Sequence, residues 1–116
     1  MATTVTVNGH GAAPPAPPKK LLNQIVDDTA RDNPELLYAE LPLSPTTFDA
    51  GFRKVTYHAF ANAINGMAWW LHETLGPGKS FETLLYIGPN DMRHNILLLG
   101  AVKAGYKVNK PICSTW

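Results

Sequence analysis

The side chains of this chain that could do chemistry are four histidines, one cysteine and a few carboxylates, and their spacing assembles no reaction centre. His10, His58, His72 and His94 are scattered, and His72-Glu73 is followed by Thr74-Leu75-Gly76 instead of the second histidine of H-E-x-x-H. Ser44, Ser80 and Ser114 lack the flanking glycines of a nucleophile elbow. Asp27-Asp28 and Asp91 have the chemistry to hold a cation, but adjacent acids on a helix more simply make a solvated face. Cys113 near Lys110 would gain some thiolate character from the ammonium. As the single cysteine it can form neither an intrachain disulfide nor a thiolate cluster. The turn Gly88-Pro89-Asn90-Asp91 falls between a predicted strand and a predicted helix, where α/β proteins often bind ligands. It lacks the repeated glycines that admit a pyrophosphate, and no G-x-x-x-x-G-K-[ST] loop occurs. We therefore read the turn as structural and assign no catalytic, cofactor-binding or metal-binding residue.

Composition bounds what surrounds these residues. The 116 residues fit one domain, or part of a larger one. Ten Lys and Arg against nine Asp and Glu give a net charge of +1, with no basic stripe to attract nucleic acid or a membrane surface. The longest apolar runs are too short to span a bilayer. The first residues carry neither a secretory nor a transit pattern, so the expected location is cytoplasmic.

The elements follow from periodicity. Residues 1–19, rich in Pro, Ala and Gly, offer nothing to pack and are expected to be a disordered tail. Leu21, Leu22, Ile25, Val26, Thr29 and Ala30 recur at helical spacing, with Asn23, Gln24, Asp27, Asp28 and Arg31 facing away. Asp32-Asn33-Pro34 ends that helix, because a residue before proline avoids the α region. Leu36 to Leu41 alternates, with Leu37, Ala39 and Leu41 on one face. With Phe52 to Val55 it predicts an antiparallel hairpin with a long loop.

The clearest helix is expected over about 57–75, on the stripe Tyr57, Phe60, Ala61, Ile64, Met67, Ala68, Leu71 and Leu75. Thr56 is its N-cap, Gly76 its left-handed stop, and Pro77 bars continuation. Trp69 and Trp70 cannot share a face, and at least one is expected at the stripe's edge, packed on a neighbouring element. Thr83 to Ile87 is apolar enough for a strand covered on both faces. Asn90 or Asp91 caps a helix over about 92–104, which Gly105 closes, and Tyr106 to Val108 begins another strand. Strand, helix and strand make a βαβ unit with parallel strands. The fold expected is α/β, a short β-hairpin plus a βαβ unit with packed helices.

Two sequence words carry a resemblance. Val55-Thr56-Tyr57-His58-Ala59-Phe60 and Ala101-Val102-Lys103-Ala104-Gly105-Tyr106 resemble the first two core motifs of adenylate-forming enzymes, among them acyl-CoA synthetases and the adenylation domains of non-ribosomal peptide synthetases (NRPS). Tyr86 to Asp91 looks like that family's strand-to-helix turn, with its Pro89-Asn90 step. The stretch from Leu21 to Lys107 is most similar to fungal NRPS-like proteins that join adenylation, carrier and reductase domains. The resemblance implies an incomplete N-terminal adenylation subdomain over residues 20–107. It also implies activation of a carboxylic acid with ATP and Mg, then transfer to a phosphopantetheine thiol. It carries over no catalytic residue. Thr56, Tyr57, Pro89, Asn90, Lys103, Ala104 and Gly105 are framework positions.

Residues 108–116 depart from that family's pattern, since Lys107, Asn109, Lys110 and Pro111 alternate badly for a buried strand. We read them as an atypical tail, out-of-frame or intron-derived, or as the mark of a degraded locus. A downstream reading frame without a phosphate-loop motif would count against that. The chain is thus expected to be a truncated piece, inactive and binding no cofactor alone. Open strand edges and uncovered apolar faces would invite self-association or chaperone binding. The alternative is a non-enzymatic module that binds a protein partner through those faces.

Overall fold

The structure, a computed structural model, describes residues 14–109. Most of the expected N-terminal tail lies outside those residues, as do Cys113, Lys110, His10 and Ser114. The element order is α1 (Leu22–Asp32), β1 (Leu37–Pro42), β2 (Phe52–Thr56), α2 (Tyr57–Leu75), β3 (Thr83–Leu85), α3 (Met92–Ala104) and β4 (Lys107–Asn109). The architecture is α/β: β1 and β2 pair antiparallel, and β3 and β4 pair parallel with α3 between them.

The caps set the limits of the long helices. Thr56 is extended, and its hydroxyl accepts from the Ala59 backbone N–H at 3.2 Å, satisfying one of the free donors of the first turn. Asp91 does the same for α3, accepting from the Arg93 N–H at 2.9 Å. Gly105 ends α3 in the left-handed conformation at φ 91°. Gly76 differs from expectation. Its φ is positive at 81°, but ψ is 175°, an extended conformation open to glycine that leads the chain away from α2 instead of curling it back.

Two apolar clusters hold the elements together. Val26, Val55, Phe60, Ala61, Ile64 and Leu99 form the first, joining α1, β2, α2 and α3. Leu71, Ala101 and Tyr106 form the second, with Leu84 and Val108 of the parallel sheet packed against them. Phe60 and Ile64 are each 1% exposed, and full burial of such side chains is worth roughly 1.5–3 kcal/mol apiece. At the α2–α3 crossing stands Gly100. A β-carbon there would sit 2.8 Å from Met67 Cγ and 3.1 Å from the Ala68 backbone nitrogen, so only glycine allows this approach.

Several expectations need correction. A bulge between Leu37 and Ala39 breaks the period-2 alternation of β1. Leu37 is left exposed, while Tyr38 turns inward and stacks on Phe60 with ring centroids 3.8 Å apart. The α1 stripe is only partly covered: Val26 is buried, but Leu21, Leu22 and Ile25 are exposed. Among the described residues no element covers Trp69 or Trp70, and both are exposed, as is Leu75. The strand predicted over 83–87 is shorter and covered on one face, with Leu84 inward and Leu85 outward. The strand expected to begin over Tyr106 to Val108 is β4, and it takes in Asn109, with Val108 half-buried and Lys107 and Asn109 outside.

Candidate functional site

Lys103, whose side chain is 17% exposed near the end of α3, is a polar group that joins distant elements. Its Nζ donates to Asp27 Oδ1 and Oδ2 at 2.8 and 2.6 Å, and to Asn65 Oδ1 at 2.6 Å. One ammonium thus ties α3 to α1 and α2. Asp27 keeps its outward position, with its side chain 42% exposed, but has a long-range partner that helical spacing does not show. Beside it the Lys20 ammonium first, and then Arg31, hold the Asp28 carboxyl below the ordinary range. The sequence signal for the network was Lys103 itself, a lone charge following an apolar run from Ile96 to Val102. Asn65 carried no signal.

The other framework positions lie around the same helices without converging on a ligand. The Tyr57 backbone N–H donates to the Leu36 carbonyl at 2.8 Å, and its ring meets Tyr38 edge-on at 5.5 Å. The Ala104 carbonyl accepts from the Gly78 N–H at 2.9 Å. Gly105 backs against the Gly78 carbonyl so closely that a β-carbon would collide with it. The Tyr106 hydroxyl donates at 2.6 Å to the Gly76 carbonyl and lies 3.3 Å from that of Leu75.

The turn holding Pro89 and Asn90 is filled from within. The Tyr86 hydroxyl donates to the Pro89 carbonyl at 2.7 Å, and its ring lies 5.1 Å from that of His94. A β-carbon on Gly88 would sit 2.7 Å from the same hydroxyl. The Tyr86 phenol thus packs against the inside of the turn. At its end the Arg93 guanidinium grips the Asp91 carboxylate at 2.6 Å. That side chain, with the Arg93 backbone N–H, holds the Asp91 carboxyl below its usual value. Among the described residues no three His, Cys, Asp or Glu side chains gather as a metal centre, and no helix is long and apolar enough to cross a membrane.

What the described surface does offer is apolar. A groove of about 270 Å³ opens between α1, β1, α2 and α3, lined by Leu22, Ile25, Val26, Tyr38, Tyr57, Phe60, Leu98 and Leu99, with Asn95 at its polar edge. Asn95 donates to the Tyr38 hydroxyl at 3.2 Å. Phe81, Leu85 and Ile87, in and around β3, are also exposed.

No family model matches the chain. It is nonetheless similar to short segments of two large fungal proteins. In particular, it is 41% identical over 91 residues to an isocyanide synthase–NRPS hybrid of Aspergillus fumigatus, a stretch that is 76% of this chain and 6% of that protein. It is also 41% identical over 92 residues to a carboxylic acid reductase of Neurospora crassa, 77% of this chain and 9% of that enzyme. The chain therefore spans less than a tenth of the length of either relative.

Proposed function

We propose that the chain is a framework segment of an ATP-dependent enzyme that activates a carboxylic acid as an acyl adenylate. The observation that carries this is its 41% identity to a carboxylic acid reductase and to an NRPS hybrid over three quarters of its own length. On this reading the α/β body forms part of the N-terminal adenylation subdomain. Thr56 sets the start of α2, Lys103 binds three helices together, and Gly105 returns the chain to β4. ATP, magnesium and the carrier's phosphopantetheine thiol are engaged by other segments of the enzyme, and the chain alone does no chemistry. ATP–pyrophosphate exchange tests the last point across a panel of carboxylic acids. No exchange above background is expected from the chain alone, and robust exchange would refute it. A chimera tests the rest: the Neurospora reductase, with its matching segment replaced by that of this chain, should keep acid-dependent exchange.

The groove beside Leu22 and Ile25 favours a second reading, a non-enzymatic module that binds a protein partner. One stoichiometric partner that is not a chaperone, lost on Leu22→Asp and Ile25→Asp substitution, would carry that reading over the first.

A further inference from the structure

The run Pro14-Pro15-Ala16-Pro17-Pro18-Lys19-Lys20 leads into α1 and belongs to neither apolar cluster. All of it is exposed, and none of it lies in a helix, strand or turn. Its backbone is nonetheless narrowly set. Proline holds φ at about −65°. Pro14, Ala16 and Pro17 each precede a proline, which keeps them out of the α region. Leu21, at the end of the run, has φ −72° and ψ 152°. Those angles lie beside the polyproline II values of about −75° and 145°.

A polyproline II helix has about three residues per turn. Pro14, Pro17 and Lys20 therefore fall on one ridge, and Pro15, Pro18 and Leu21 on the next. Ala16 and Lys19 fall on the third. The two proline ridges stand side by side, and the first ends in a cation. Aromatic-lined grooves take such preformed ridges, because little chain entropy is lost on binding. A cation in line with the prolines calls for an acidic pocket at the end of the groove. In the structure Lys20 Nζ meets Asp28 Oδ2 at 2.5 Å, with the Lys20 side chain 50% exposed. An exposed pair of this kind is weak, so a partner's carboxylates can take the ammonium from Asp28.

We propose that residues 14–20 are a docking ligand for an SH3-type domain. The prolines enter its aromatic groove, Lys20 enters an acidic pocket beside it, and Asp28 competes for Lys20. The inference stands apart from the acid-activating reading and does not depend on it.

The test measures binding of the full chain to every SH3 domain encoded by the source genome, with its WW domains alongside, by fluorescence anisotropy. At least one SH3 domain should bind. Pro15→Ala with Pro18→Ala should weaken that binding about tenfold or more, through the lost ring contacts. Lys20→Ala should weaken it several-fold while Lys19→Ala leaves it unchanged, because Lys19 lies on the outward ridge. Asp28→Asn should strengthen it about two- to fivefold, the worth of an exposed ion pair. These positions lie outside both apolar clusters, so an unchanged thermal melt separates lost docking from lost folding. The proposal is overturned if no SH3 domain binds, if Lys19→Ala and Lys20→Ala act alike, or if Asp28→Asn fails to strengthen binding. Binding by WW domains alone also overturns it, since the proline ridges would then be read without the acidic pocket.

Discussion

Lys103 Nζ lies 2.6 Å from Asp27 Oδ2 across 76 residues of sequence. It is a polar link between the first helix and the βαβ unit, and it is only partly shielded, with the Asp27 side chain 42% exposed. An ion pair in that setting is worth about 1 kcal/mol. A double-mutant cycle of Asp27→Asn and Lys103→Met should return a coupling of about that size by urea unfolding. A coupling indistinguishable from zero would mean that α1 is held by Val26 and its apolar neighbours alone.

The Thr56 hydroxyl is the side-chain partner of the first turn of α2. Thr56→Ala should cost about 1 kcal/mol, and Thr56→Ser should restore most of it, since serine keeps the accepting oxygen. Equal losses in both variants would assign the effect to the methyl group instead of the cap.

Gly100 allows α2 and α3 to touch through backbone. Gly100→Val should destabilise by about 1–3 kcal/mol, because the new atoms meet Met67 and the Ala68 backbone with nowhere to go. Pairing it with Met67→Ala should recover part of the loss, and chemical denaturation of the three variants reads the result.

The pH response of α3 follows from Asp91. Its folded carboxyl titrates below the ordinary 3.8, held down first by the Arg93 side chain and then by the Arg93 backbone N–H. The unfolded state therefore binds more protons in the acid range. The stabilisation is fully present above about pH 4 and is lost as pH falls through the folded value. Carbon-detected NMR of the Asp91 carboxyl should show a midpoint below 3.8, and Arg93→Ala should move it upward. A midpoint at or above 3.8 in the native chain would contradict the cap and clamp together.

The sequence was most legible where one strong local signal fixed each boundary. Thr56 and Gly76 bracket α2, and Asp91 and Gly105 bracket α3, and the periodicity between them left little choice. It was least legible where tertiary contacts override a period. A bulge cannot be read from alternation, so Tyr38 was assigned to the wrong face of β1. Helical spacing cannot say which part of a stripe will be covered, so Leu22 and Ile25 were placed inside while only Val26 is. The partner of Asp27 is not legible from α1, because Lys103 lies on α3, five elements further along the chain. The framework positions lay in the motif words, but the link through Asn65 depended on how the helices cross.

The Tyr106 phenol has a further consequence for motion. Its hydroxyl closes on the Gly76 carbonyl 30 residues earlier, and the Gly78 N–H fastens to Ala104 beside it. The polypeptide between those points is a loop drawn shut at its neck. Parting the neck does not free that loop as a unit, because α3 within it places Leu99 in the other apolar cluster and ties Lys103 to α1 and α2. The first partial opening should therefore be confined to residues 79–90, where the side chains are mostly exposed.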